Sequence, residues 1–152
     1  MKLAEALQER ADLNRKIEEL RRRISQSLLT QEGEEPPEDP DQLIKELDNA
    51  ADRLSRLTVA INHTNCVTEV NGSSLTEMIA RKDMLALRLS AYRDMVHVAG
   101  QSVSRSRGTE IKILPVIKAS ELQRTADSIA KELRLLDNTL QESNWKTELI
   151  GK

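Results

Sequence analysis

The chain has 152 residues and a formal net charge of −2, and 32% of its residues are charged. It contains no Phe, one Trp and one Tyr. This length predicts a single domain, residues 1–152, whose core is built from aliphatic side chains. A net charge so near zero excludes a polycation that binds nucleic acid through bulk charge, and it also excludes an acidic tail protein.

Cysteine usage and the hydropathy pattern predict a cytoplasmic protein. Cys66 is the only cysteine and cannot form an intrachain disulfide, as is usual in a reducing compartment. The first residues include Glu5 and Glu9, and they contain no apolar run long enough for a signal peptide. No stretch approaches the ~18 consecutive apolar residues of a transmembrane helix, so we expect no membrane span.

The first helix is predicted over about 2–29, where apolar residues recur every three or four positions. An acidic connector, 31–41, follows it and contains three prolines. We expect this connector to be a solvated linker, because prolines break both a helix and the ligand spacing of a calcium loop. The stripe of the first helix consists of Leu3, Ala6, Leu13, Ile17, Leu20 and Ile24.

The second helix, about 41–65, has the most regular stripe, and we expect the rest of the chain to pack around it. Asp39 and Pro40 are typical of an N-cap and a first helical position. After this helix, Asn71-Gly72 can turn the chain. The stripe alternates spacings of four and three residues through Leu43, Leu47, Ala50, Leu54, Leu57, Ile61, Thr64 and Thr68.

Two more helices are predicted, over about 75–99 and about 121–143. Each begins near a capping box, in which Ser74 and Ser120 are the capping residues. Ile79 and Leu87 widen the apolar face of the third helix, which leaves surface for a second copy. The stripes are Leu75, Met78, Lys82, Leu85, Leu89, Tyr92, Val96 and Ala99 in the third helix, and Leu122, Ala126, Ile129, Leu133, Leu136, Leu140 and Ser143 in the fourth.

The linker between these helices, 101–119, breaks the helical period. Its residues 110–114 alternate in polarity and predict a short strand near 110–117, which must pair with another segment or another copy. The predicted fold is therefore all-α: long antiparallel helical hairpins or a four-helix bundle, with a minor short β element near 110–117.

Several segments form a distinctive combination: Met1–Leu7, Glu9–Leu13, Gln31–Pro36, Ile61–Asn65, Leu75–Asp83, Glu110–Lys112 and Asn144–Leu149. Together they resemble a small bacterial family whose members are labelled septicolysin. The resemblance spans nearly the whole chain and implies a mainly helical, cytosolic bacterial protein that contains a domain of unknown function. The label itself implies a pore-forming cytolysin, although the sequence shows neither a secretion signal nor a membrane helix.

No pattern indicates a catalytic site or a cofactor, so we expect a protein that is not an enzyme. His63 and Cys66 are the candidate metal ligands, as a His-x-x-Cys pair. A structural zinc site needs four ligands, and His97 is the only other histidine. The same pair could act as a thiol and its base, but nothing in the sequence marks an oxyanion hole.

Arg105 and Arg107 are candidate anion-binding residues, because two guanidinium groups stand there among small residues with accessible backbone N–H groups. This arrangement suits phosphate or nucleic acid. The triplet Arg21–Arg23 is also basic, but Glu18 and Glu19 precede it, which is typical of a solvated helix face.

We therefore predict a homo-oligomeric helical protein with a structural or interaction role. Ile111, Ile113 and Trp145 are the candidate self-association residues, since a lone strand needs a partner and Trp is favoured at interfaces. Two alternatives are a protein that binds nucleic acid or phosphate through Arg105 and Arg107, and the pore-forming cytolysin that the family label implies.

Overall fold

Four long helices make up most of the described chain, residues 1–101 and 112–151 of a computed structural model. The all-α class with a minor β element is confirmed. Each helix boundary lies within about three residues of its predicted position. The elements are α1 (Leu3–Ser27), α2 (Pro40–Val67), β1 (Glu69–Val70), β2 (Ser73–Ser74), α3 (Leu75–Gly100) and α4 (Ala119–Lys146).

The chain divides into two compact units. Unit 1 contains Met1–Ser74 and Ser143–Lys152, and unit 2 contains Leu75–Glu142. In unit 1, α1 and α2 form an antiparallel hairpin, and α2 begins as predicted, with the Asp39 carboxylate accepting the Asp41 N–H at 3.0 Å. The buried residues of these helices include most of the predicted stripes: Leu3, Ala6, Leu20, Leu43, Ala50, Leu57, Ile61 and Thr64.

The β element of the described chain lies at 69–74 rather than near 110–117. Strands β1 and β2 pair antiparallel across Asn71 and Gly72, whose φ angles of +53° and +82° fit a tight two-residue hairpin turn. Of the segment near 110–117, residues 110 and 111 lie outside the described chain, and 112–117 contain no strand. A strand there needs a neighbour, and Pro115 has no N–H to donate to one.

A closing segment after α4 completes unit 1. The Thr147 carbonyl accepts the Leu3 N–H and the Met1 carbonyl accepts the Leu149 N–H, both at 2.9 Å. The hydroxyl oxygen of Thr64 accepts the Ile150 N–H at 2.9 Å. These bonds attach residues 147–150 to both helices of the hairpin.

Unit 2 is an antiparallel pair formed by α3 and α4. Its hydrophobic cluster contains Leu85 and Leu89 of α3 with Ala126 and Ile129 of α4, all from the predicted stripes. Helix α4 starts at Ala119, before the predicted cap at Ser120, because the Lys118 carbonyl accepts the N–H groups of the first turn. Within the described ranges, no helix is both long and apolar enough to cross a membrane.

Candidate interaction surface

Helix α3 carries apolar residues on two opposite faces. One face packs against α4 through Leu85 and Leu89. The other repeats the spacing of four and three residues through Ala80, Met84, Leu87 and Ala91, all of which are exposed. An apolar stripe on a helix normally packs against another element, so two opposite stripes favour two contacts. We call these four residues the outer stripe.

The exposed fractions show how little of the outer stripe is covered by the chain itself. Met84 is 55% exposed and Leu87 is 64% exposed. Towards the end of α3, Met95 is 45% and Val98 is 68% exposed. Scattered exposed aliphatic residues are ordinary, but a continuous row along one helix marks a contact site.

An open apolar cleft of about 650 Å³ continues this surface at the end of α3. Met95 and Val98 line it from the helix, and residues 113–117 line it from the segment before α4. Polar groups are few, chiefly Asp94 and Gln101. Such a cleft binds an apolar surface through area rather than through directed hydrogen bonds.

Charges flank the outer stripe with opposite signs. Asp83 lies on one side of it and Arg88 on the other, and both are exposed. Neither forms an ion pair with another described residue. Arg81, two turns before Arg88, differs because it is bound to Glu132 of α4.

The face of α3 towards α4 contains a charged pair that the sequence did not reveal. Lys82 occupies a stripe position, yet it is half-buried because its ammonium group binds the Asp137 carboxylate. This hydrogen bond lowers the pKa of Asp137. Lys82 therefore connects α3 to α4 through a charged pair at a stripe position.

His63 and Cys66, the candidate metal ligands, both lie exposed in the last two turns of α2. No group of three or more His, Cys, Asp or Glu residues is placed to hold a metal ion anywhere in the described chain. The pair therefore gains no further ligand from the described residues.

The candidate anion-binding residues Arg105 and Arg107 lie outside the described chain. In the other basic segment, Arg21 donates to Glu18 at 2.8 Å, and Arg23 donates to Glu38 of the acidic connector at 2.9 Å. The Arg23 hydrogen bond lowers the pKa of Glu38, and the carboxylate raises the pKa of Arg23. Two of the three arginines are thus already bound to carboxylates.

Among the candidate self-association residues, Ile111 also lies outside the described chain. Ile113 is 53% exposed and lines the apolar cleft, and Trp145 is 52% exposed near the end of α4. Ile113 and Trp145 are accessible in a single copy, and their role in self-association stays a prediction.

Of the outer stripe, only Leu87 is predicted from the sequence to be surplus apolar surface. The sequence places it, with Ile79, at the edge of the stripe that packs against α4. The signal for the rest was available, since Ala80, Met84, Leu87 and Ala91 have the same spacing as the buried stripes. Two overlapping patterns on one helix obscured each other.

Three comparisons with known proteins give the relationships of the chain. The model of a family of unknown function, DUF6847, matches residues 10–149. The crystal structure of a functionally unknown conserved protein from Corynebacterium diphtheriae is 35% identical, with a TM-score of 0.92 over 98% of each chain. No curated protein matches the chain. The family match spans most of the chain, and the chain therefore belongs to the DUF6847 family of unknown function.

Proposed function

We propose that this protein is a non-enzymatic bacterial protein that acts by self-association, and that its helices form the contact surface. The observation that carries the proposal is the exposed outer stripe of α3, together with the apolar cleft near the end of the same helix. Leaving this much aliphatic surface in water costs about 25 cal/mol for each Å² that a partner could cover.

A second copy of the chain is the partner that the sequence itself supplies. Stripes of Leu, Met and Ala pack readily against identical stripes, and closed symmetric dimers are the commonest oligomers of soluble proteins. Charged residues cover much of the remaining helix surface, so association should involve one face and stop at a defined size.

Light scattering coupled to size-exclusion chromatography tests the proposal. We expect the mass to rise from one chain towards two or more chains between low-micromolar and near-millimolar concentration. The mass should then reach a plateau, because a closed oligomer stops growing whereas an aggregate does not. A mass of one chain at every concentration would overturn the proposal.

We also propose a cytoplasmic location, supported by the single cysteine, which is exposed at position 66. Cell fractionation of a bacterium that expresses the chain with its natural flanking sequence tests this. The septicolysin-like grouping stays a prediction of the similar segments. Its pore-forming meaning is tested with dye-loaded liposomes, from which we expect no leakage.

Binding of phosphate or nucleic acid through Arg105 and Arg107 also stays a prediction. An electrophoretic shift with RNA or DNA at low salt, lost as salt rises, would support it. The variant with both arginines changed to glutamine is the matched control for that shift.

A further inference from the structure

We propose that the outer stripe of α3 is the contact with a second copy of the chain, and that the two α3 helices lie parallel. This inference rests on the proposed self-association and names its surface and orientation. The stripe residues Ala80, Met84, Leu87 and Ala91 follow the alternating four-three spacing of a two-helix seam. All four are exposed in a single copy.

The flanking charges set the orientation. Asp83 comes directly before the stripe residue Met84, and Arg88 comes directly after Leu87. In a parallel pair with this seam, the residue directly before Met84 faces the residue five places later on the other helix. Asp83 therefore faces the partner's Arg88, and symmetry supplies the same pair on the other side.

An antiparallel pair would not use these charges. In that arrangement, a residue that precedes the stripe, such as Asp83, faces a preceding residue on the other helix, and a residue that follows it, such as Arg88, faces a following one. In the register that matches the stripe with itself, Asp83 of one copy and Arg88 of the other would lie on opposite sides of the seam. An antiparallel contact would therefore lack this ion pair. Arg88 and Asp83 have no ion-pair partner in the described chain, so both are available.

The stripe also sets the length and strength of the contact. Ala80 and Ala91 are small, so the helices can approach closely at both ends, with Met84 and Leu87 between them. The next position in the stripe is Asp94, which would face its own copy across a parallel pair. Two carboxylates there repel, so the apolar contact ends at Ala91. A contact this short predicts weak, concentration-dependent dimers.

Cysteine crosslinking tests the orientation. Ala80→Cys and Ala91→Cys are made separately in a Cys66→Ser background and oxidised at a concentration where light scattering shows dimers. A parallel two-fold pair brings each new cysteine to within roughly 7 Å, Cα to Cα, of its own counterpart. We expect each variant alone to give a crosslinked dimer.

Each other result contradicts the inference in a distinct way. Crosslinks that form only when the two variants are mixed would show an antiparallel pair and overturn the orientation. Dimers without any crosslink would place the interface elsewhere, which overturns the inference but leaves self-association standing. Monomers at every concentration would overturn both proposals.

Two exposed alanines of α3 give a matched pair of variants for the surface itself. Ala91→Glu places a charge in the outer stripe, whereas Ala86→Glu places the same charge on another exposed part of the helix. We expect Ala91→Glu to raise the dimer dissociation constant by about tenfold or more, and Ala86→Glu by less than about twofold. Circular dichroism checks that both stay folded, and equal effects would contradict the assignment.

A charge exchange tests the ion pair separately. Asp83→Arg should weaken the dimer, because the new guanidinium group would face the partner's Arg88, and adding Arg88→Asp should restore it. The restored dimer should weaken as salt rises, as the wild type does. A double variant no tighter than the single one would show that these two residues do not face each other.

Discussion

Arg53 of α2 binds Glu9 of α1 through two parallel hydrogen bonds, Nε to Oε1 at 2.6 Å and Nη2 to Oε2 at 2.8 Å. The hydrogen bond with Arg53 lowers the pKa of Glu9 against the opposing effect of burial. A two-point contact of this kind fixes the register between the two helices better than a single ion pair does.

Removing the charge at Glu9 should therefore destabilise the hairpin in a pH-dependent way. We expect Glu9→Gln to lower the free energy of unfolding at pH 7 by about 0.5–1 kcal/mol, since the pair is partly exposed. The folded pKa lies below the ordinary value of 4.5. The contribution is thus complete above that value and is lost as pH falls through the folded pKa.

Urea unfolding of the wild type and Glu9→Gln at neutral and at acid pH measures this. The difference between them should shrink as pH drops below the ordinary pKa of Glu. Asp52→Asn, beside Arg53 but without an ion pair in the described chain, is the control and should change stability little at any pH. A pH-independent deficit in Glu9→Gln would point to lost packing instead.

Thr64 should be needed for its hydroxyl as well as its size. Its buried Oγ1 donates to the Ala60 carbonyl at 2.8 Å and accepts the Ile150 N–H at 2.9 Å. Thr64→Val keeps the volume but leaves that N–H without its acceptor, which should cost about 1–2 kcal/mol. Thr64→Ser keeps the acceptor and is the matched control. Hydrogen exchange at the Ile150 amide should accelerate in the valine variant alone.

Leu85 and Leu87 should respond very differently to truncation, although they are two residues apart. Leu85 belongs to the buried cluster of unit 2, so Leu85→Ala should cost about 2–5 kcal/mol. Leu87 is mostly exposed, so Leu87→Ala should cost less than about 0.5 kcal/mol in dilute solution. Chemical denaturation at low protein concentration compares them. Similar losses in both variants would show that Leu87 is covered within one copy.

Glycine-to-alanine changes should have opposite signs at two positions. Gly72 has φ +82° with nothing within 4 Å of an added Cβ, so backbone strain alone should make Gly72→Ala cost about 1–2 kcal/mol. Gly100 ends α3, and its Cβ position is also open. Gly100→Ala should stabilise by about 0.5 kcal/mol, because alanine loses less entropy in a helix. Thermal unfolding of both variants measures these shifts.

Much of the fold follows from the spacing of apolar residues. The stripe from Leu43 to Thr64 predicted both the extent and the buried face of α2, because a helix places every third and fourth residue on one side. Asp39 and Pro40 marked the start of α2 for local reasons that need no tertiary context.

The rest depends on long-range contacts that spacing does not encode. Nothing around Thr64 reveals that residue 150, 86 positions later, donates to its hydroxyl. The alternation near 110–114 predicted a strand, but the described part of that segment, 112–114, contains none, and a strand forms only where a neighbour offers hydrogen bonds. The short pairing at 69–74 forms on either side of Asn71-Gly72, and those two residues predict the turn but not the strands beside it.

The hydrogen bond from the Leu3 N–H to the Thr147 carbonyl has a consequence for synthesis on the ribosome. The chain emerges from its N-terminal side, so α1 and α2 are complete long before residue 147 is made. Until then the Leu3 N–H lacks its acceptor, and the Thr64 hydroxyl oxygen lacks the Ile150 N–H that donates to it in the folded protein. The nascent hairpin therefore lacks these closing hydrogen bonds until residues 147–150 have been translated and have left the ribosome.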